Sequence, residues 1–213
     1  METKNKILKK LRRQIVDQVD LPEVVDGPWI KHANPADKFV EMVRFAGGEC
    51  HSVSDLGQVV EKLSEFEQFR TANRVFSGLA ANEIGFAPGD QSSVPAELLG
   101  NVVLDETEDP HDLENLDFVI YPGQLAVAEN GAIWVTDEEL RHRVVFFITQ
   151  FLVLVVRHQD VVDNMHEAYS KIAPPQPGFG LFLSGPSKTA DIEQSLVIGA
   201  HGCRELNVFI VGN

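Results

Sequence analysis

The stretch Gly178-Phe179-Gly180-Leu181-Phe182-Leu183-Ser184-Gly185-Pro186-Ser187-Lys188-Thr189-Ala190-Asp191-Ile192-Glu193-Gln194-Ser195-Leu196-Val197-Ile198-Gly199-Ala200-His201-Gly202-Cys203-Arg204 sets the reading of the chain. Leu181–Leu183 is a short apolar run flanked by glycine, the pattern of a buried strand. Ser184-Gly185-Pro186-Ser187 breaks it, because glycine admits unusual backbone angles and proline lacks the N–H that would continue a ladder. The spacing predicts a brief helix over Thr189–Ser195, with Ser187 or Thr189 as N-cap and Asp191 and Glu193 early, where negative charge suits the helix dipole. Strand, glycine turn and helix N-terminus together outline an anion site. Two known phosphate loops do not fit. A Walker A loop needs lysine directly after its second glycine, whereas Pro186 and Ser187 separate Gly185 from Lys188. A dinucleotide fingerprint needs a third glycine where Leu183 stands, and Gly178 and Gly180 precede the strand rather than follow it.

Outward from this stretch, the chain alternates strand and helix signals. Strands are predicted at Glu49–Val53, Arg74–Ser77, Asn101–Asp105, Phe118–Tyr121, Phe151–Val156 and Asn207–Val211. Helices are predicted around Phe39–Phe45, Leu56–Leu63, Glu138–Phe147 and Val161–Ile172. That alternation predicts a three-layer α/β/α fold with a mainly parallel sheet. Leu125–Ala128 and Ala132–Val135 read as hairpin arms joined across Glu129-Asn130-Gly131, where Asn-Gly favours a tight primed turn. Asn82–Gly100, rich in glycine, proline and serine, is the longest loop signal. Asp105–Asp117 is an acidic tract expected to form a solvated turn and short helix.

Charge and cysteine content narrow the function classes. The 213 residues carry a formal charge of −14, which argues against a nucleic-acid partner. The first 13 residues hold six Lys or Arg against Glu2, a net of +5, which leaves −19 for the rest. Residues 4–19 place Ile7, Leu8, Leu11, Ile15, Val16 and Val19 on one helical stripe opposite Lys and Arg. The organisation expected is therefore an amphipathic helix at 1–20, packed on the body or else serving a membrane or partner, and one α/β domain over 21–213. Cys50 and Cys203 have no metal-ligand spacing and form no disulfide framework, which fits a cytoplasmic protein. The apolar run Val144–Val156 is too short for a span of roughly 20 residues, so no transmembrane segment is expected. His158 and His166, eight apart, lack the spacing of ligands on adjacent helical turns, and no metal site is predicted.

Three segments together resemble the lactate-utilisation protein C family, whose members consist of a LUD domain. Ser184–Glu193 followed by Gly199-Ala200-His201-Gly202 is similar to the family signature, and Ala126-Val127-Ala128-Glu129-Asn130-Gly131 is similar to the family's Ala-Ile-Ala-Glu-Thr-Gly segment. The order of the intervening strands agrees over roughly 40–213. Three departures stand near the expected site: Asn130 in place of Thr, Cys203 in place of Pro, and Tyr121-Pro122-Gly123 in place of a Thr-Gly segment. The resemblance implies a NagB/RpiA/CoA transferase-like fold. It also implies a part in oxidising L-lactate to pyruvate alongside iron–sulfur protein partners, with this chain binding substrate or a partner.

The residues themselves leave an alternative open. In coenzyme A transferases a Glu-Asn-Gly segment carries the catalytic carboxylate, so Glu129 could serve a self-sufficient transferase, hydrolase or cyclo-ligase-like enzyme. A carboxylate fixed beside a tight turn suits a general base or nucleophile. It is equally the description of an exposed turn residue. Asp191 is a candidate second acid and also an ordinary first-turn helix residue. His201, between Gly199 and Gly202, is a candidate proton carrier near neutral pH and also a structural histidine. Ser184, Gly185, Ser187, Lys188 and Thr189 form the candidate set for a small anionic metabolite, or a helix cap. No sequence motif names a cofactor.

Overall fold

The computed structural model describes residues 2–12, 27–79, 94–138, 140–172, 178–186, 188–190, 196–198 and 202–212. In chain order the first elements are α1 (Glu2–Arg12), α2 (Pro35–Phe45), β1 (Glu49–Val53), α3 (Leu56–Glu65), α4 (Glu67–Arg70) and β2 (Val75–Ser77). Then follow β3 (Phe118–Pro122), β4 (Leu125–Val127), β5 (Ala132–Thr136), α5 (Val145–Ile148), β6 (Phe151–Arg157) and β7 (Val161–Val162). The last are α6 (Met165–Lys171), β8 (Gly180–Leu183), β9 (Lys188–Ala190), β10 (Leu196–Ile198) and β11 (Glu205–Val211). Among these residues no helix is long and apolar enough to cross a membrane.

The main sheet has the order β1-β11-β6-β3-β2, and its four pairings are all parallel. A parallel strand buried on both faces should be apolar throughout rather than alternating. Phe151–Arg157 meets that requirement: its five central residues are all buried. One face of the sheet packs Val59 and Leu63 of α3 against Ile120, Val153, Val155 and Phe209. The other packs Phe39 and Val43 of α2 and Val145 and Phe146 of α5 against Val119, Leu152, Leu154 and Val208. Helices on both faces of a parallel sheet make the fold three-layer α/β/α.

A smaller sheet, ordered β7-β4-β5-β8, joins the α2 side of the core through Ala126, Ile133 and Val135. Its other face meets α6 through Leu125, Val127, Trp134 and Ala168. The junction between sheets is the segment Tyr121-Pro122-Gly123. There Gly123 N–H donates to Val155 of the large sheet at 2.8 Å and Gln124 N–H donates to Trp134 of the small one at 2.9 Å. The Tyr121 hydroxyl donates to the Thr136 carbonyl at 3.0 Å, and its ring meets Phe146 edge-on.

Five expectations need correction. Asn101–Leu104 is not a strand: the Asn101 side chain accepts from Val75 N–H at 2.8 Å and donates to the Asn73 carbonyl at 2.7 Å, and a 3-10 turn begins at Leu104. Its amide thus stitches the sheet edge instead of extending it. Leu181–Leu183 is a strand, but half-buried and in the small sheet, antiparallel to β5. Of Glu138–Phe147 only the end is helical. Leu140 N–H turns back to the Asp137 carbonyl, and the Arg141 and His142 side chains reach out to the Asp105 and Thr107 carbonyls. Val161 and Val162 pair with β4 before α6 begins, because Asn164 caps that helix by accepting from Glu167 N–H at 3.0 Å. Thr189 and Ala190 belong to a strand that pairs antiparallel with β10, not to a helix; residues 191–195 lie outside the described set.

Candidate functional site

Two chain segments far apart in sequence meet at the C-terminal end of α2. The first is the β4–β5 turn. Val127 pairs with Ala132, so the loop is the four residues 128–131 rather than a two-residue primed turn. It is lengthened because Ala128 and Glu129 continue alongside β7: Ala128 N–H donates to the Val162 carbonyl at 2.8 Å and Glu129 N–H to the Asp163 carbonyl at 3.0 Å. Asn130 closes it by accepting from Ala132 N–H at 3.0 Å. Gly131 has φ +68°, and a Cβ there would sit 2.8 Å from both the carbonyl carbon of Met42 and the nitrogen of Val43. Only glycine combines that backbone angle with so close an approach to a neighbouring helix.

The second segment is the loop after β8. The Ser184 hydroxyl donates to the Asn130 carbonyl at 3.0 Å, which ties the loop to the turn. A Cβ at Gly185 would lie 2.6 Å from the Ala46 carbonyl oxygen. The Lys188 ammonium donates to that same carbonyl. Gly185 and Lys188 therefore abut the C-terminus of α2, where the dipole is negative, and Lys188 complements it. The helix N-terminus on which the sequence-based anion site was drawn is absent at Lys188–Ala190. Any anion here would depend on the Lys188 charge and on hydroxyl and N–H donors.

Glu129 is exposed, yet its carboxylate is held: Oε2 accepts from Met165 N–H, the first residue of α6, at 3.0 Å. A carboxylate on a free helical N–H is a stabilising arrangement. Its Oε1 makes no hydrogen bond among the described residues. Of the other candidates, Ser184, Gly185 and Lys188 gather beside the Glu129 turn, and Thr189 lies in β9 opposite Val197. Ser187, Asp191 and His201 lie outside the described residues.

Behind the turn stands Asp163, which sequence reasoning missed. It is 9% exposed and joins three elements. Its carbonyl takes Glu129 N–H, Oδ1 accepts from His32 N–H at 2.6 Å, and Oδ2 pairs with Lys31 at 3.2 Å. Lys31 also bonds Glu167 at 3.1 Å, and these contacts, Glu167 first and Asp163 second, raise its pKa. Partial burial opposes ionisation of Glu167, but Lys171 and Lys31 hold its pKa below the usual value. The same strap is fixed by Trp29, whose ring stacks on His166 at 3.6 Å with 6° between planes, and by Asn164, which donates to the Ile30 carbonyl at 2.9 Å. Asn164-x-x-Glu167 is a helix-start signal that could have placed α6. Nothing local marked Asp163.

The cysteines stand apart from this chemistry. Burial pushes the Cys50 thiol up to about 12, so it stays protonated, and Cys203 is buried as well. Among the described residues no group of three or more His, Cys, Asp or Glu is gathered as a metal ion would require.

Comparison with known proteins fits this architecture. A crystal structure of a DUF162 family protein from Deinococcus radiodurans superposes with a TM-score of 0.60, over 86% of this chain and 100% of that one. At 21% identity the likeness speaks to the fold. Lactate utilization protein C of Deinococcus radiodurans is 34% identical over 116 residues, 53% of this chain and 55% of that protein. Lactate utilization protein C 1 of Bacillus mycoides is 30% identical over 104 residues, 46% of this chain and 44% of that protein. The chain thus aligns with about half the length of these curated relatives. The sequence profile of the LUD domain matches residues 36–211, from the first turn of α2 to the last residue of β11, and with that match the chain belongs to the LUD domain family.

Proposed function

We propose that the protein acts in the cytoplasm as the LUD-domain component of a system that oxidises L-lactate to pyruvate with iron–sulfur protein partners. In this reading it binds a small carboxylate at the junction of turn 128–131 and loop 184–188. The observation that carries it is the set of relatives named for lactate utilization, at 30–34% identity for the two cited above. The geometry supports it through Lys188, a charge donor beside the Asn130–Ser184 contact. Calorimetric titration of the protein with L-lactate tests the reading. Binding that Lys188→Ala weakens by about 1–3 kcal/mol, the scale of a charge-assisted hydrogen bond, supports it. Heats indistinguishable from dilution, for lactate and for pyruvate, reject the ligand.

A second reading has its own supporting observation. Glu129 is exposed and fixed through its amide and Oε2, with Oε1 making no hydrogen bond among the described residues. That is the disposition of a nucleophile or base in a transferase or hydrolase acting on an acyl or phosphorylated small molecule. Glu129→Gln separates the two. An enzyme using this carboxylate loses roughly 10²- to 10⁴-fold in rate. A binding component keeps lactate oxidation in the assembled system.

A further inference from the structure

The N-terminal helix is the largest feature that the LUD match leaves unused. The side chains of Thr3 through Lys10 are all exposed, with Ile7 at 56% and Leu8 at 36%, so this part of α1 is not packed against the described body. At 3.6 residues per turn, Ile7 and Leu8 share one side and Lys6, Lys9 and Lys10 the other. Lys4, Lys6, Lys9 and Lys10 form no ion pair among the described residues. A basic amphipathic helix with its apolar side in water calls for a partner that is both acidic and locally apolar.

The body of the same chain presents such a surface. Asp105, Glu106, Glu108, Asp109, Asp112 and Glu114 are all exposed within ten residues. Of these only Asp109 has an ion-pair partner among the described residues, the nearby His111. The two arginines that reach the tract, Arg74 and Arg141, are bonded to the carbonyls of Asp112 and Asp105, not to carboxylates. Immediately before the tract, Leu99 is 45% and Val103 55% exposed. Exposed carboxylates preceded in the chain by two exposed aliphatic side chains match lysines beside Ile7 and Leu8.

We propose that α1 of one molecule docks on the 99–114 surface of a second copy of this chain, and that the exchange is reciprocal. Reciprocity closes the contact as a two-fold dimer, in which each subunit gives a helix and receives one. The charge distribution selects this occupant. A body carrying −19 outside the first 13 residues repels an anionic membrane, while it attracts a segment carrying +5. Exposed ion pairs are individually weak, so the contact depends on several acting together with the apolar stripe, and it is sensitive to salt.

The test is sedimentation equilibrium of the full chain at about 50 mM and about 500 mM NaCl, between which the Debye length falls from roughly 14 Å to roughly 4 Å. The proposal expects a dimer at low salt whose dissociation constant rises at least about tenfold at high salt. Two variants sharpen it: one with Lys6→Glu, Lys9→Glu and Lys10→Glu, the other with Asp105→Lys, Glu106→Lys, Glu108→Lys, Asp112→Lys and Glu114→Lys. Each alone should be monomeric, because helix and tract then carry the same sign. Mixed together they should form a heterodimer, because both contacts are again between opposite charges. A monomeric wild type at low salt, a dimer untouched by either set of reversals, or variants that fail to associate on mixing would each overturn the proposal. So would a monomer that binds vesicles of anionic phospholipid through α1.

Discussion

The contact between Gly131 and the last turns of α2 brings the Glu129 turn against the loop that carries Lys188, and replacing that glycine measures it. Alanine at 131 must hold φ near +68°, which costs an L-residue about 1–2 kcal/mol. Its methyl must also enter space 2.8 Å from the Met42 carbonyl carbon and the Val43 nitrogen, which are helix backbone and cannot swing aside. Overpacking of that kind adds about 1–3 kcal/mol, for a total of about 2–5 kcal/mol. Gly212→Ala is the internal control. Its φ is +87°, but nothing lies within 4 Å of the added methyl, so it carries the backbone term alone, about 1–2 kcal/mol. Any gain from a stiffer unfolded chain is common to both substitutions and cancels in the difference. Urea unfolding of the two variants should show Gly131→Ala less stable than Gly212→Ala by about 1–3 kcal/mol at an unchanged m-value. Equal losses would mean that the turn does not press on α2, and the geometry of the site would fall with it.

Three further outcomes are expected. Glu129→Ala removes the acceptor of Met165 N–H and should cost about 0.5–2 kcal/mol in urea unfolding, whereas Glu129→Gln, which keeps an acceptor oxygen, should cost less; equal costs would deny the capping role. Asp163→Ala leaves the His32 amide and the Lys31 ammonium without their anchor, so hydrogen exchange over residues 27–34 should speed up at least about tenfold, and exchange at the wild-type rate would show that this segment is held by the Trp29–His166 stack instead. His51 packs against Phe209 and Phe66, and burial lowers its pKa, with Lys62 and Arg44 acting in the same direction against Glu49 and Glu65. The unfolded chain then binds more protons near and below the unfolded value of about 6.5, so stability should fall as pH drops through that value. His51→Phe should reduce the slope between about pH 7 and about pH 5, and an unchanged slope would assign the acid sensitivity to other groups.

The large sheet was legible because burial on both faces demands unbroken apolar runs, and Phe151–Val156 and Val208–Val211 supply them within β6 and β11. The helices α2 and α3 showed in the spacing of Phe39 and Val43 and of Val59 and Leu63, each pair on one buried face. Errors came where a side chain competed with the backbone. Asn101 has a strand-like neighbourhood but spends its amide on β2, and Asn164 stops a predicted long helix from starting early. Lys188–Ala190 misled for a different reason. A glycine turn followed by polar residues reads as a helix start, yet these residues find a strand partner in Leu196–Ile198, a tertiary pairing that local pattern does not encode. Glu129 and Ser184 could be chosen from motifs alone. That they meet was not readable from the chain, since the contact runs through the Asn130 carbonyl, and the Asp163 hub rests on backbone groups that no motif marks.

A part in L-lactate oxidation through the junction of turn 128–131 and the segment carrying Ser184 and Lys188 should be visible in cells deleted for this chain. The measurement is conversion of L-lactate to pyruvate in extracts, with the wild-type chain, Lys188→Ala or Glu129→Gln returned. Conversion should be lost on deletion, return with the wild type and with Glu129→Gln, and stay impaired with a folded Lys188→Ala. Conversion at the full rate in the deleted cells would contradict it.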